Sequence, residues 1–206
     1  MFPGVTGAGA AHLTLGIVMR LSLIVVAFLF PTLCYPDDAS RIAEIKTVFA
    51  EWQPIIKSEV KDRFVIYRYA SGENYERREW SRRELKTDKK ALSDKFTILQ
   101  RSKGAYVHHE QYSFSGDWFV VSEHYYDKNG KLLFVFWKMN TFQAEEPATI
   151  EKRLYFSESG NIIRSMKDVY KLNTKQKQNV SFMDHEVDYS ANFKSLAFYE
   201  QLPKRP

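Results

Sequence analysis

Residues 119–139, FVVSEHYYDKNGKLLFVFWKM, consist of two runs of aromatic and β-branched residues joined by the tetrapeptide DKNG. An Asn-Gly pair between two such runs indicates a β-hairpin, because both residues tolerate the positive φ that a tight turn requires. Both faces of the hairpin are mostly apolar, because its apolar residues do not alternate with polar ones. We therefore expect a central hairpin that is covered on both sides.

The alternation of side chains along a strand predicts which residues of this hairpin share a face. One face carries Phe119, Val121, Glu123, Tyr125, Leu132, Phe134 and Phe136. The other face carries Val120, Ser122, His124, Tyr126, Leu133, Val135 and Trp137. Glu123 and His124 are the titratable exceptions in these apolar sets.

The same pattern recurs 30 residues later, where YYDKNGKLL at 125–133 aligns with YFSESGNII at 155–163. Two copies are too few for a solenoid, so we expect successive hairpins of one sheet. The repeat adds six residues to the first face: Glu151, Arg153, Tyr155, Ile162, Arg164 and Met166. A four-residue loop at 157–160 predicts that Arg153 lies opposite Arg164, a pair that requires an acid nearby.

The cluster around these arginines has two interpretations. In the first, the arginines hold a carboxylate or phosphate group and the tyrosines line the site. In the second, the same residues form a cross-strand ion-pair network on a partly wet face, with Glu123 or Glu151 as the acid. The candidate ligand-binding residues are Glu123, Tyr125, Arg153, Tyr155 and Arg164.

Histidines suggest an alternative function. His108 and Glu110 share one face of their strand, and His124 follows in the next strand. Imidazole and carboxylate groups can bind zinc or act as acid and base, so a hydrolase or metal-dependent enzyme using these three residues is the alternative hypothesis. The sequence contains no G-x-S-x-G, phosphate-loop, dinucleotide or C-x-x-C motif, so we assign no catalytic residue, metal ligand or cofactor.

Outside the hairpins, the chain predicts an N-terminal helix and further strands. Apolar residues recur at spacings of three and four after Asp37 or Asp38, which can cap the helix, and Pro54 is expected to end or kink it. The helical stripe is Ile42, Ile45, Phe49, Trp52 and Ile56. Strands are expected at 64–70, 96–100, 105–114, 118–126, 131–139, 150–156 and 161–170.

The end of the chain predicts less regular structure. Residues 173–179, NTKQKQN, read as a polar loop. Phe193, Leu196, Tyr199 and Leu202 fall roughly on one helical face, which predicts a short C-terminal helix. The expected fold is α+β: an N-terminal amphipathic helix packed on a mostly antiparallel β-meander.

The N-terminus predicts export. The apolar run LSLIVVAFLF at 21–30 follows Arg20 and ends at Pro31, the layout of a secretory signal peptide, with Met19 as an alternative start. Cleavage before Tyr35 divides the chain into a signal peptide, 1–34, and a single domain, 35–206. It also removes the only cysteine, Cys34. The expected location is periplasmic or secreted, with a membrane anchor formed by an uncleaved N-terminal segment as the alternative.

Composition constrains the partners weakly. The 206 residues include 44% hydrophobic residues, enough for a core, and a net charge of +5 that mixes both signs. Residues 73–95 are rich in charge, but acidic and basic residues nearly balance. No recognition motif indicates nucleic acid. The expected partner is a small molecule, an envelope component or another protein.

The pattern E-x-Y-Y-x-x-x-G-K-L-x-F-V-F followed by R-x-Y-F-x-x-x-G-x-I-I-R resembles that of uncharacterised secreted bacterial proteins with an N-terminal amphipathic helix and a β-meander. The resemblance extends over residues 42–170. It implies a helix on an antiparallel sheet and an envelope location, and it implies no catalytic residues. The predicted function is a non-enzymatic ligand-binding or interaction module that uses a concave aromatic face.

Overall fold

A computed structural model describes residues 38–58, 63–69, 75–79, 92–144, 146–178 and 186–203. One helix, α1 (Asp38–Lys57), precedes a sheet in which all neighbouring strands are antiparallel. Its strands are β1 (Phe64–Tyr69), β2 (Tyr75–Glu79), β3 (Leu92–Arg101), β4 (Gly104–Tyr112), β5 (Trp118–Tyr126), β6 (Leu132–Thr141), β7 (Ala148–Phe156), β8 (Ile162–Lys171) and β9 (Lys177–Gln178). Their order across the sheet is β2-β1-β3-β4-β5-β6-β7-β8-β9. The predicted α+β fold with an antiparallel meander is confirmed.

Helix α1 lies on one face of the sheet through the predicted apolar stripe. Ile45 and Trp52 are completely buried against the sheet, and the Trp52 ring stacks on Tyr106 with the ring centroids 6.2 Å apart. Pro54 does not end the helix, which continues to Lys57, and the Ser58 N–H donates a hydrogen bond to the Pro54 carbonyl at 3.0 Å. Proline lacks the N–H that would donate to the Ala50 carbonyl, but its own carbonyl still accepts a hydrogen bond, so the helix continues past it.

The turn between β5 and β6 determines the register of the central hairpin. Gly130 has a φ of +82° while Asn129 does not use the left-handed region, so only the glycine supplies the positive φ. The Asp127 carboxylate accepts hydrogen bonds from the backbone N–H groups of Asn129 and Lys131, both at 2.8 Å. The Asp127 side chain therefore stabilises the loop, and Gly130 alone adopts the positive φ. The turn differs in this respect from the predicted one, in which Asn129 and Gly130 would both have a positive φ.

A β-bulge next to this turn corrects the predicted faces. Tyr125 pairs with Phe134 but Tyr126 pairs with Leu132, so β6 contains one extra residue. As a result Leu132 packs in the cluster on the face opposite α1, and Leu133 packs in the cluster under α1. The prediction had these two leucines on the reverse faces.

The second hairpin, β7–β8, repeats the first in detail. Gly160 has a φ of +87°, and the bulge lies between Tyr155, which pairs with Arg164, and Phe156, which pairs with Ile162. The prediction that Ile162 lies on the α1 side is therefore wrong. The next residue, Ile163, packs in the cluster under α1 instead. The sequence repeat is a structural repeat, including its bulge.

The C-terminal segment covers the face of the sheet opposite α1. Phe193, Phe198 and Leu202 are buried there, with the Leu132 N–H donating to the Ala191 carbonyl at 3.1 Å. The predicted short C-terminal helix takes the form of two 3-10 helices, Phe193–Ser195 and Tyr199–Gln201. The segment thus follows the surface of the sheet in short turns.

Several other predictions concern segments that are partly or wholly outside the described residues. Strand β9 lies within the predicted polar loop, and β2 lies within the charged stretch 73–95, whose residues 80–91 are outside the described part. The predicted signal peptide 1–34, with its alternative start at Met19 and its cleavage before Tyr35, is also outside the described residues. Those expectations stay predictions.

Candidate functional site

A cleft of about 360 Å³ lies between α1 and the strands β5, β6 and β7. Helix α1 packs on the sheet through Ile45 and Trp52, and the cleft lies beside Ile45, which also lines it. Its lining residues are Ile45, Lys46, Phe49, Gln53, Glu123, Phe134, Phe136, Arg153 and Tyr155. The cleft therefore includes three of the five candidate ligand-binding residues, Glu123, Arg153 and Tyr155.

Tyr125, the fourth candidate, connects the helix to the carboxylate in the cleft. Its hydroxyl donates to Glu123 Oε2 at 2.9 Å and accepts from Gln53 Nε2 at 3.2 Å. Burial raises the pKa of the Tyr125 phenol far above its usual range, and the neighbouring Glu123 carboxylate raises it further. The phenol is consequently a permanent donor that holds Glu123 in place.

Arg153 is already bound to acidic side chains. One nitrogen donates to Glu151 Oε2 at 2.8 Å and the other to Asp168 Oδ2 at 3.0 Å, while the guanidinium carbon lies 5.4 Å from the centroid of the Phe136 ring. Lys177 donates to the other Asp168 oxygen at 2.5 Å, and these hydrogen bonds hold the pKa of Asp168 below its usual range. Arg153 thus belongs to the cross-strand ion-pair network of the second interpretation, with Glu151 and Asp168 as the acids.

Arg164 is not where the sequence predicted. The bulge in β8 sets Arg164 opposite Tyr155, and Met166 takes the position opposite Arg153. Arg164 is exposed and does not line the cleft. The predicted pair of facing arginines is therefore wrong, because the partner of Arg153 moves two residues along β8: the loop, 157–161, is one residue longer than predicted, and the bulge adds one more residue.

The three residues of the alternative enzyme hypothesis lie on two faces of the sheet. His108 and Glu110 line a second cavity of about 260 Å³ on the α1 side, which Glu123 also borders, whereas His124 is buried on the opposite face. Although burial raises the pKa of Glu110, hydrogen bonds from His108, Lys95 and Tyr112 lower it to about 2. Because the sheet separates His124 from the other two, this grouping does not converge on one reacting atom.

The opposite face has a polar cluster that the sequence did not reveal. His109 Nε2 lies 2.7 Å from Asp94 Oδ1, and Arg68 donates to Asp94 Oδ2 at 2.7 Å. Burial raises the pKa of Asp94, but the hydrogen bonds from His109, Ser93 and Arg68 outweigh it and lower the pKa to about 2. The carboxylate of Asp94 is therefore charged and fully engaged.

A second hydrogen-bonded pair lies beside Asp94 and His109. Ser122 Oγ is 2.8 Å from His124 Nε2, and both residues are buried. Burial lowers the pKa of His124 to about 3, so its imidazole is neutral at physiological pH. Ser122 does not line the neighbouring cavity of about 330 Å³, so its hydroxyl has no access to a substrate there.

Known proteins give no guide to these sites. No family model, no curated protein and no solved structure matches the chain. Within the described residues, no three His, Cys, Asp or Glu side chains are placed to hold a metal ion. No helix among the described residues is long and apolar enough to cross a bilayer. The resemblance of the hairpins to those of uncharacterised secreted proteins stays a prediction.

Proposed function

We propose that this protein is a non-enzymatic ligand-binding protein of the bacterial envelope or the secreted fraction, and that its ligand occupies the cleft between α1 and the sheet. The cleft volume of about 360 Å³ falls within the usual range of small-molecule sites. The observation that carries the proposal is the convergence of Glu123, Arg153 and Tyr155 with the aromatic residues of α1 and β6 around this one cleft.

The aromatic side chains that line the cleft support a ligand with an apolar body. Phe134 and Tyr155 are buried at the floor of the cleft, and Phe49 and Phe136 are only partly buried at its sides. Aromatic side chains bury large apolar areas at low entropic cost, so they are effective walls for a ring or an alkyl chain. Polar groups occupy few positions and would orient the ligand.

The location rests on the apolar run at 21–30 and its flanking residues. An exported protein of this kind encounters small molecules, envelope components and other envelope proteins. A cleft of about 360 Å³ favours the small molecule, because a stable protein–protein interface buries a much larger area than such a cleft offers.

A cleft-blocking substitution tests this function. Lys46→Trp places a large side chain at an exposed lining position, and Thr47→Trp places the same side chain on the adjacent exposed residue that does not line the cleft. The purified protein is screened by thermal shift and ligand-observed NMR against small aromatic and aliphatic compounds. Compounds that bind the wild type and Thr47→Trp but not Lys46→Trp support the proposal. The absence of any such compound contradicts it.

A further inference from the structure

The charges around the cleft differ in whether they already have partners. Arg153 donates to Glu151 and Asp168, so its guanidinium has little capacity for a ligand anion. Arg164, the other predicted anion-binding residue, does not line the cleft. An anionic ligand would therefore meet an arginine that two carboxylates already neutralise.

Glu123 is in the reverse situation. It is partly buried and receives the Tyr125 hydroxyl, the Tyr106 hydroxyl also interacts with it, and none of the described Lys, Arg or His side chains forms an ion pair with it. A partly buried carboxylate without a cation is costly, because neutral hydrogen bonds from phenols replace only part of its hydration. Glu123 therefore has unused capacity to accept hydrogen bonds from a cationic donor.

The aromatic walls favour a cation as well. A cation near the face of an aromatic ring is attracted by the quadrupole of the ring. Arg153 already occupies this position on Phe136, with 5.4 Å between the guanidinium carbon and the ring centroid, so Phe49 is the ring of the cleft that can attract a ligand cation. The Lys46 side chain is the one opposing charge at the rim without an ion pair in the described part of the chain, and it is exposed, so water and salt screen its repulsion.

We propose that the ligand of this cleft is an amine: its protonated nitrogen pairs with the Glu123 carboxylate, and its apolar body packs between Phe49 and Phe136. This inference rests on the proposed function and specifies its ligand class. The arginines in the sequence had suggested a negatively charged ligand, whereas the ligand proposed here is positively charged.

Three probes of one shape test the charge preference. They are 2-phenylethylamine, 2-phenylethanol and 3-phenylpropanoate, measured against the full chain by calorimetry and ligand-observed NMR. We expect the amine to bind about tenfold more tightly than the alcohol, because a charge-assisted hydrogen bond is about twice as strong as a neutral one. Equal binding of the amine and the alcohol, or tighter binding of the acid, overturns the amine assignment and leaves the binding cleft in place. If none of the three binds, the amine assignment fails; the blocking variant at Lys46 then decides whether the cleft itself still binds another class of compound.

Two variants locate the effect. Glu123→Gln keeps the shape and the acceptor for Tyr125, and it should reduce the affinity for the amine to that for the alcohol. Glu44→Gln removes an equal charge from α1 outside the cleft and should leave all three affinities unchanged. Lys46→Gln removes the exposed cation at the rim of the cleft without altering the core. It should strengthen amine binding about twofold. Weaker amine binding in Lys46→Gln, or an unchanged amine preference in Glu123→Gln, overturns the proposal.

Discussion

Two carboxylates on opposite faces of the sheet, Asp94 and Glu123, have opposite surroundings. Asp94 is 2% exposed and is held by Arg68 and His109, so each of its oxygens has a partner. Glu123 lies in a cleft, where it interacts with the hydroxyls of Tyr125 and Tyr106 and with no described cation. The comparison teaches that burial of a carboxylate does not by itself identify a site: what matters is whether the fold completes its hydrogen bonds.

The covers of the two faces explain this difference. On the Asp94 side, the C-terminal segment places the Phe198 ring against the Phe96 ring, with 4.6 Å between the ring centroids. The Phe96 ring in turn stacks on the His109 ring, with 4.0 Å between the centroids. On the Glu123 side, α1 is one helix across a wide sheet, and a cylinder on a twisted surface leaves clefts along its length. The first face is closed by irregular chain that follows its shape, and the second is left partly open.

The largest effect that would sharpen the comparison is expected for Asp94→Ala. This change leaves His109 and Arg68 without their shared carboxylate, and we expect it to lower the free energy of unfolding by about 3 kcal/mol. Urea denaturation measures this loss. The control is Glu44→Ala, which removes an acid that is 61% exposed from its pair with Arg41 and should cost less than about 1 kcal/mol. Equal losses in the two variants would mean that Asp94 is not the structural carboxylate that its contacts indicate.

Acid should destabilise the same face through His124. Its pKa is 6.5 in an unfolded chain and about 3 in the folded protein, so between these values the unfolded state binds a proton that the folded state does not. Stability therefore falls as the pH decreases from 6.5 towards 3, by about 2 kcal/mol at pH 5. Thermal and urea unfolding between pH 7 and 5 measure the slope.

A pair of variants assigns this slope to the imidazole. His124→Leu should flatten the dependence between pH 7 and 5, because the group that takes up the proton on unfolding is gone. Ser122→Ala keeps the buried imidazole and should keep the slope. A His124→Leu protein with the wild-type slope would show that another group on one of the faces dominates the acid response.

Local pattern predicted much of the helix-side face. Alternation in β5 and the 30-residue repeat placed Glu123, Tyr125, Arg153 and Tyr155 on one face, and α1 covers that face. These features depend on the period of a strand and on a turn with a glycine, both of which are local properties of the chain. The bulge after each turn was missed because it adds one residue without any change of composition, and together with a loop one residue longer than predicted it moved Arg164 away from Arg153.

The Asp94 face could not be predicted in the same way. The strand expected in place of β3 began at Phe96, so Asp94 fell outside it, and the partner residue His109 lies on the next strand. Extending β3 by four residues would have placed Asp94 and His109 on one face of the β3–β4 hairpin. The cover of this face comes from residues near the C-terminus whose spacing suggested a helix, and its 3-10 turns follow contacts distant in sequence. Long-range packing of this kind leaves no local period.

The smallest effect, and the one that could break the comparison, is expected from a matched pair of amide substitutions. Glu123→Gln should change the free energy of unfolding by less than about 1 kcal/mol, because Tyr125 can donate to the amide oxygen and no described ion pair is lost. Asp94→Asn should cost more than about 2 kcal/mol, because an amide cannot satisfy both Arg68 and His109 as a carboxylate does. Urea unfolding of both proteins at neutral pH measures the difference. If Glu123→Gln costs as much as Asp94→Asn, then Glu123 is a structural carboxylate like Asp94, and the case for an amine in the cleft loses the unpaired charge on which it depends.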